Sequence, residues 1–177
     1  MNKKILAFGA SNSSTSINRQ LAKYASGLFK KADVELLDLN DYEMPIYSID
    51  REKKDGFPQL AHDFYNKIGD ADFILISFAE NNGNFSTAFK NILDWMSRIN
   101  GKTFQEKPML LLATSPGARG GSSVLDIAVK RMPYQGGIVK GSFSLPSFNE
   151  NFDREKGVIS NEELNKELLK IVDSIEL

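Results

Sequence analysis

Apolar positions along this chain fall into two alternating patterns. Short apolar-rich runs stand at Ile5-Leu6-Ala7-Phe8, Val34 to Leu39, Phe73-Ile74-Leu75-Ile76-Ser77-Phe78, Pro108 to Ala113 and Gly137 to Leu145. Runs of this length, bounded by Gly, Pro or charge, predict strands, and the most apolar of them predict strands covered on both faces. Between them the spacing lengthens to that of a helix. Ile17, Leu21, Tyr24, Ala25, Leu28 and Phe29 share one face, as do Phe85, Phe89, Ile92, Met96 and Ile99. Helices are also predicted from Phe57 to Ile68, over residues 122–132, and after Ser160. Ser160 would head a capping box with Glu163, and Leu164, Leu168, Ile171, Val172 and Ile175 would line that last helix. Residues 40–57 and 146–158 read as loops.

Five alternations of strand and helix predict a parallel sheet with helices on both faces. The expectation is one three-layer α/β domain over residues 1–177, without internal repeat or linker.

Composition narrows the chemistry. Net charge is −1, which gives no electrostatic footprint for nucleic acid or an anionic membrane. Cysteine is absent, which excludes disulfides, thiolate catalysis and zinc-thiolate or Cys-ligated iron–sulfur sites; a single histidine excludes a multi-His metal centre. No metal is expected. No apolar stretch is long enough to span a bilayer. The charged start Met1-Asn2-Lys3-Lys4 leads into a short run that reads as a first strand rather than a signal peptide. A cytoplasmic enzyme or binding protein is expected.

In an open parallel sheet, ligands bind at the carboxyl ends of the strands, beside the switch in strand order. Three loops are therefore candidates. The first, Ser11–Asn18, holds seven hydroxyl or amide side chains in eight residues, has no acid and no lysine, and feeds a helix N-terminus. Hydroxyls and unpaired N–H groups converging at the positive end of a helix suit a phosphate dianion. The competing reading is a surface loop in which Ser16 merely caps the helix. The loop lacks the Gly-Lys-Ser/Thr of a Walker motif and is not G-x-G-x-x-G. The second loop, Ala79-Glu80-Asn81-Asn82-Gly83-Asn84, offers a heteroaromatic edge or a polyol chain many polar partners; it reads equally as a turn at Asn82-Gly83 with Asn84 or Ser86 as helix cap. The third, Ser115 to Ser122, carries three glycines that let backbone approach a flat ligand.

With these stretches in hand, the sequence resembles the NAD(P)H-dependent FMN reductases of the flavodoxin-like fold, which include flavin, quinone, chromate and azo-dye reductases. Their first loop reads G-S-x-R-x-x-S-x-N-R-x-L, matched by Ala10 to Leu21. Their second reads P-E-Y-N-G-S followed by L-K-N-A-x-D-W, matched by Ala79 to Asn84 and Phe89-Lys90-Asn91-Ile92-Leu93-Asp94-Trp95. A K-P pair, a strand and S-x-G-x-x-G-G match Lys107-Pro108 and Ser115 to Gly121.

The resemblance implies a flavodoxin-like three-layer sandwich with strand order 2-1-3-4-5. It implies FMN as cofactor and NADPH or NADH as co-substrate. Carried over by position, Ser11, Ser13, Ser16, Ile17 and Asn18 would hold the phosphate, and Glu80, Asn81, Asn82, Gly83, Ser115, Gly117 and Gly120 would flank the flavin. No side chain is expected to be catalytic, since the flavin itself exchanges electrons with the nucleotide and then with a small acceptor. A homodimer or homotetramer is implied. Two departures stand out: Ser13 replaces the family's loop arginine, and Asn81 replaces its tyrosine. Arg119 is a candidate for the co-substrate's phosphates or a solvated residue. His62 is expected on the surface or in packing, and Phe89 and Trp95 in the core or a dimer interface. The alternatives are a flavodoxin-type electron carrier, which near-neutral charge disfavours, and a non-enzymatic binding protein on the same fold.

Overall fold

The computed structural model describes residues 2–177. Its centre is a five-stranded parallel sheet built from β1 (Lys3–Ala10), β2 (Ala32–Leu37), β3 (Phe73–Phe78), β6 (Lys107–Thr114) and β7 (Gly137–Leu145). The strands lie in the order β2-β1-β3-β6-β7, which is 2-1-3-4-5 when only sheet strands are counted. The register sets Ile5 beside Phe73 and Phe8 beside Ile76.

Successive side chains of a strand point to opposite faces. Accordingly Leu6, Phe8, Ile74, Ile76, Met109 and Leu111 enter one core layer, against α3 (Gln59–Asp70), α4 (Thr87–Ile99) and α5 (Ser122–Arg131). Ile5, Ala7, Phe73, Leu75, Leu110 and Leu112 enter the other, against α1 (Ile17–Ser26) and α7 (Glu162–Asp173). Burial on both faces is why β1, β3 and β6 carry long apolar runs. Among the described residues, no helix is long and apolar enough to cross a membrane.

Three local expectations need correction. Residues 40–57 contain α2 (Ile49–Asp55), capped by Ser48 Oγ accepting from Arg51 N–H. This helix buries no residue, so it leaves no apolar period to read. Residues 146–158 contain α6 (Phe148–Asn151) and the start of the hairpin β8 (Phe152–Asp153) and β9 (Val158–Ile159). The cap of α7 is Asn161, one residue later than expected, with Oδ1 accepting from Glu163 N–H and Leu164 N–H. Between β3 and α4, β4 (Glu80–Asn81) and β5 (Asn84–Phe85) pair as a tight hairpin. Asn82 and Gly83 both take positive φ, 52° and 74°, as a two-residue hairpin turn requires.

Candidate functional site

Strand order reverses direction at β1, so the crevice lies over the carboxyl ends of β1 and β3, with β6 next to them. A cavity of about 280 Å³ opens there, lined by first-loop residues together with Ala79, Glu80, Thr114, Ser115, Pro116 and Arg154. A cavity of about 320 Å³ at the amino ends of β1 and β2 is framed by Lys67 and Glu35, which pair at 2.6 Å, and lies away from this crevice.

Gly9 brings the first loop close. A Cβ there would sit 2.4 Å from the Arg19 backbone nitrogen and 2.8 Å from the Asn18 carbonyl carbon. The absence of a side chain thus lets the first turn of α1 lie directly on the end of β1. Ser16 is the N-cap of α1, its Oγ accepting from Arg19 N–H at 3.1 Å. Ser11 Oγ accepts from Ser13 N–H, also at 3.1 Å. Among the described residues, the backbone N–H groups of Ser14, Thr15, Ile17 and Asn18 have no acceptor. Open donors and several hydroxyls therefore cluster at the positive end of a helix.

Asn18 is buried, and its side chain is turned inward. Oδ1 accepts from Thr114 N–H at 3.1 Å and from Ser77 Oγ at 2.7 Å, while Nδ2 donates to the Thr114 carbonyl at 3.1 Å. The amide sews α1 to β3 and β6, and only its backbone N–H stays open. Arg19 turns toward β2, its Nε 3.7 Å from an Asp38 carboxylate oxygen.

Among the described residues Glu80 is the only acid lining the cavity, and it is engaged: Oε2 accepts from Val124 N–H at 3.1 Å. Val124 lies in the first turn of α5, whose N-cap, Gly121, has no side chain to supply that acceptor. Asn81 and Asn82 are exposed at the tip of the β4–β5 hairpin, and Gly83 is half-buried. Asn81 lines a second cavity of about 350 Å³ with Asn12, Asn40, Met44, Ile46 and Asn91. There Asn91 clamps the 44–47 segment, donating to the Met44 and Pro45 carbonyls and accepting from Tyr47 N–H at 2.8 Å; Trp95 Nε1 donates to Pro45 at 2.7 Å. The Asn91 and Trp95 positions of the sequence block are thus a structural clamp, and Phe89 and Trp95 belong to the core.

The third-loop glycines are not equivalent. Gly120 is buried at φ 58°, and a Cβ would meet Ser144 Oγ at 2.5 Å. Gly117 is exposed, with only Ser115 Oγ near, at 3.9 Å, which leaves space beside its backbone. Arg119 is exposed and bonds Ser123 Oγ. His62 packs edge-on against Phe57, on α3 and far along the chain from all three loops.

A family model described as NADPH-dependent FMN reductase matches residues 3–150. The chain belongs to this family. Its relatives include an uncharacterised protein of Mycoplasma pneumoniae, 32% identical over 158 residues, 86% of this chain and 93% of that protein. An NADPH:quinone oxidoreductase of Arabidopsis thaliana is 29% identical over 184 residues, 96% of this chain and 87% of that protein. Among solved structures, a flavoenzyme NAD(P)H:(acceptor) oxidoreductase from Paracoccus denitrificans superposes with a TM-score of 0.76 at 23% identity, covering 97% of this chain and 94% of that one.

As a member of the FMN reductase family, the chain is a flavin-dependent oxidoreductase that uses FMN and NAD(P)H. The first loop fits that cofactor's phosphate: Thr15, Ile17 and Asn18, whose N–H groups are open, line a cavity in which the Glu80 carboxylate is already bound to an N–H group. Ser13, where the sequence resemblance implies an arginine, is exposed and 3.5 Å from Thr15 through their hydroxyl oxygens. No signal in the sequence marked Thr114, Ser77 or Arg154 as part of the site.

Proposed function

We propose that this crevice holds FMN by its phosphate and that the chain reduces a small acceptor of the flavin, quinone, azo or metal-oxyanion class at the expense of NADPH or NADH. The observation that carries this reading is the set of open N–H groups at Thr15, Ile17 and Asn18, with Ser14 beside them and no free carboxylate lining the same cavity among the described residues. Bound there, FMN would supply the redox chemistry.

The protein's own part is binding and positioning. The hydroxyls of Ser11, Ser13 and Ser16 and the open backbone donors, Ile17 and Asn18 included, hold the dianion. Glu80 ties the β4–β5 hairpin, which carries Asn81, Asn82 and Gly83, to α5, and these three flank the flavin in this reading. Ser115 and Gly117 form the facing wall, and Gly120 packs that wall on β7 through the Ser144 Oγ bond to its carbonyl, at 3.0 Å. We place the chain in a homodimer or homotetramer. Ile46 and Ile49, 67% and 51% exposed beside the second cavity, support an interface there.

Reconstitution with FMN, a visible spectrum and anaerobic titration with NADH and NADPH test the reading. Stoichiometric flavin bleached by a nucleotide is expected. Flavin bound but reduced by neither nucleotide would indicate a carrier, and no bound flavin would overturn the assignment. Light scattering after gel filtration tests the assembly.

A further inference from the structure

The first loop, Ser11–Asn18, has hydroxyls and N–H groups for a dianion but no cation, and Arg19, which follows it, is turned to Asp38. One cation does line the cavity, and it comes from the far end of the chain. Arg154 sits in the turn between β8 and β9, just beyond the 3–150 region that the family model matches. We propose that Arg154 supplies the positive charge of the phosphate site, in place of the loop arginine.

The arginine is held ready for that role. Its guanidinium lies 5.3 Å over the Phe148 ring, and Nη2 donates to Asn149 Oδ1 at 3.0 Å. A guanidinium has five N–H donors, so most remain available. Acids surround it in sequence, yet none pairs with it within 4.0 Å among the described residues. The Asp153 carboxylate is spent on Glu155 N–H and Lys156 N–H, both at 3.0 Å, and on the Lys156 ammonium at 3.4 Å.

The segment that carries the turn is anchored to the third loop and to α1. Ser147 N–H donates to the Gly117 carbonyl at 2.9 Å and Phe148 N–H to the Ser115 carbonyl at 3.0 Å, which ties the segment to the third loop. Phe152 stacks on Phe148 at 4.6 Å and meets Tyr24 of α1 edge-on at 6.2 Å. The exposed Arg154 is thereby carried on a turn held between the third loop and α1, the helix whose N-terminal residues line the cavity. A planar guanidinium forking onto phosphate oxygens adds both charge and direction to a site otherwise built of dipoles.

The inference rests on the FMN reading and has its own test. FMN and riboflavin affinities are measured by flavin fluorescence quenching for the unaltered chain, Arg154→Ala, the control Lys30→Ala in the adjoining groove, and Arg154→Ala combined with Ser13→Arg. Arg154→Ala is expected to weaken FMN binding about 10- to 100-fold. Riboflavin binding should stay unchanged, Lys30→Ala should match the unaltered chain, and Ser13→Arg should restore FMN affinity in the double variant. The salt dependence of FMN binding should also flatten in Arg154→Ala. Unchanged FMN affinity, or equal loss of FMN and riboflavin, would overturn the assignment. So would a loss confined to NADPH, which would place Arg154 on the co-substrate through the adjoining groove it shares with Lys23, Lys30 and Lys156. If the unaltered chain binds no FMN, the functional reading falls and this one with it; binding by the unaltered chain and by Arg154→Ala alike removes only the arginine's role.

Discussion

Glu80 accepts a hydrogen bond from the backbone N–H of Val124 at 3.1 Å, joining the second loop of the crevice to the helix that follows the third across 44 positions of sequence. The bond places a carboxylate at the positive end of α5, where Gly121 offers no capping side chain. The same acid that the sequence presents as a ligand group thus works as a helix cap supplied from a distance.

Glu80→Ala should therefore destabilise the fold by about 1–2 kcal/mol, the usual range for a lost cap. It should also loosen the hairpin and weaken FMN binding. Glu80→Gln keeps the acceptor and should stay near the unaltered protein in both respects. Urea unfolding followed by fluorescence measures this directly, because the chain has one tryptophan and Trp95 is buried. An Ala variant as stable as the original would refute the capping role.

Asn18→Ala should cost more. It strips partners from the Ser77 hydroxyl and from both the N–H and the C=O of Thr114, all buried. Unsatisfied buried groups of this kind cost about 1–3 kcal/mol each, so a total of roughly 2–4 kcal/mol is expected after partial relaxation. Urea unfolding should show the loss without any flavin present. An effect seen only on FMN affinity, with stability intact, would return the Asn18 side chain to the phosphate.

The two asparagines at the site show where sequence reading stops. The apolar runs of β1, β3 and β6 were legible because both faces of the sheet are covered, and the loops at their ends followed from topology. The residues of the first loop were legible as a polar set, yet the partners of Asn18 lie on β3 and β6, and no local pattern encodes that pairing. Asn91 was legible only as part of a family block, and its clamp on residues 44–47 appears once that segment is folded over α4. The α2 helix left no trace because it buries nothing. Arg154 was hidden for a related reason: a charged residue in a polar turn looks solvated until the hairpin is docked on the third loop.

Gly9 and Gly117 should separate fold from site. A Cβ at Gly9 meets backbone atoms of Arg19 at 2.4 and 2.7 Å, which cannot rotate aside. Gly9→Ala should displace the first turn of α1, lower stability by about 2–3 kcal/mol and abolish FMN binding with it. Gly117→Ala meets only a Ser115 hydroxyl at 3.9 Å. Its stability should change by less than about 0.5 kcal/mol, while FMN affinity falls if the flavin lies against that backbone. Thermal melts with and without FMN distinguish the two. A Gly9→Ala protein with native stability and affinity would contradict the close packing of α1 on β1.

Acid should loosen the turn that carries Arg154. The Lys156 backbone N–H, ahead of the Lys156 side chain and Glu155 N–H, holds the Asp153 carboxyl below its ordinary value of 3.8. Asp72 is lowered in the same sense, chiefly by Lys4 N–H, and Asp38 chiefly by Asn40 N–H. A carboxyl whose pKa is lower folded than unfolded binds protons more readily in the unfolded chain. Its contribution is complete above the unfolded value and is lost as pH falls through the folded one. The thermal midpoint should therefore be unaffected by these three groups above about pH 5 and decline below about pH 4. Asp153→Asn removes one of the linked protons, so its midpoint should fall less steeply in that acid window than that of the unaltered chain. Melting curves at a series of pH values between neutrality and strong acid test both statements. An acid decline of the same steepness in Asp153→Asn would show that this carboxylate does not tie the turn together.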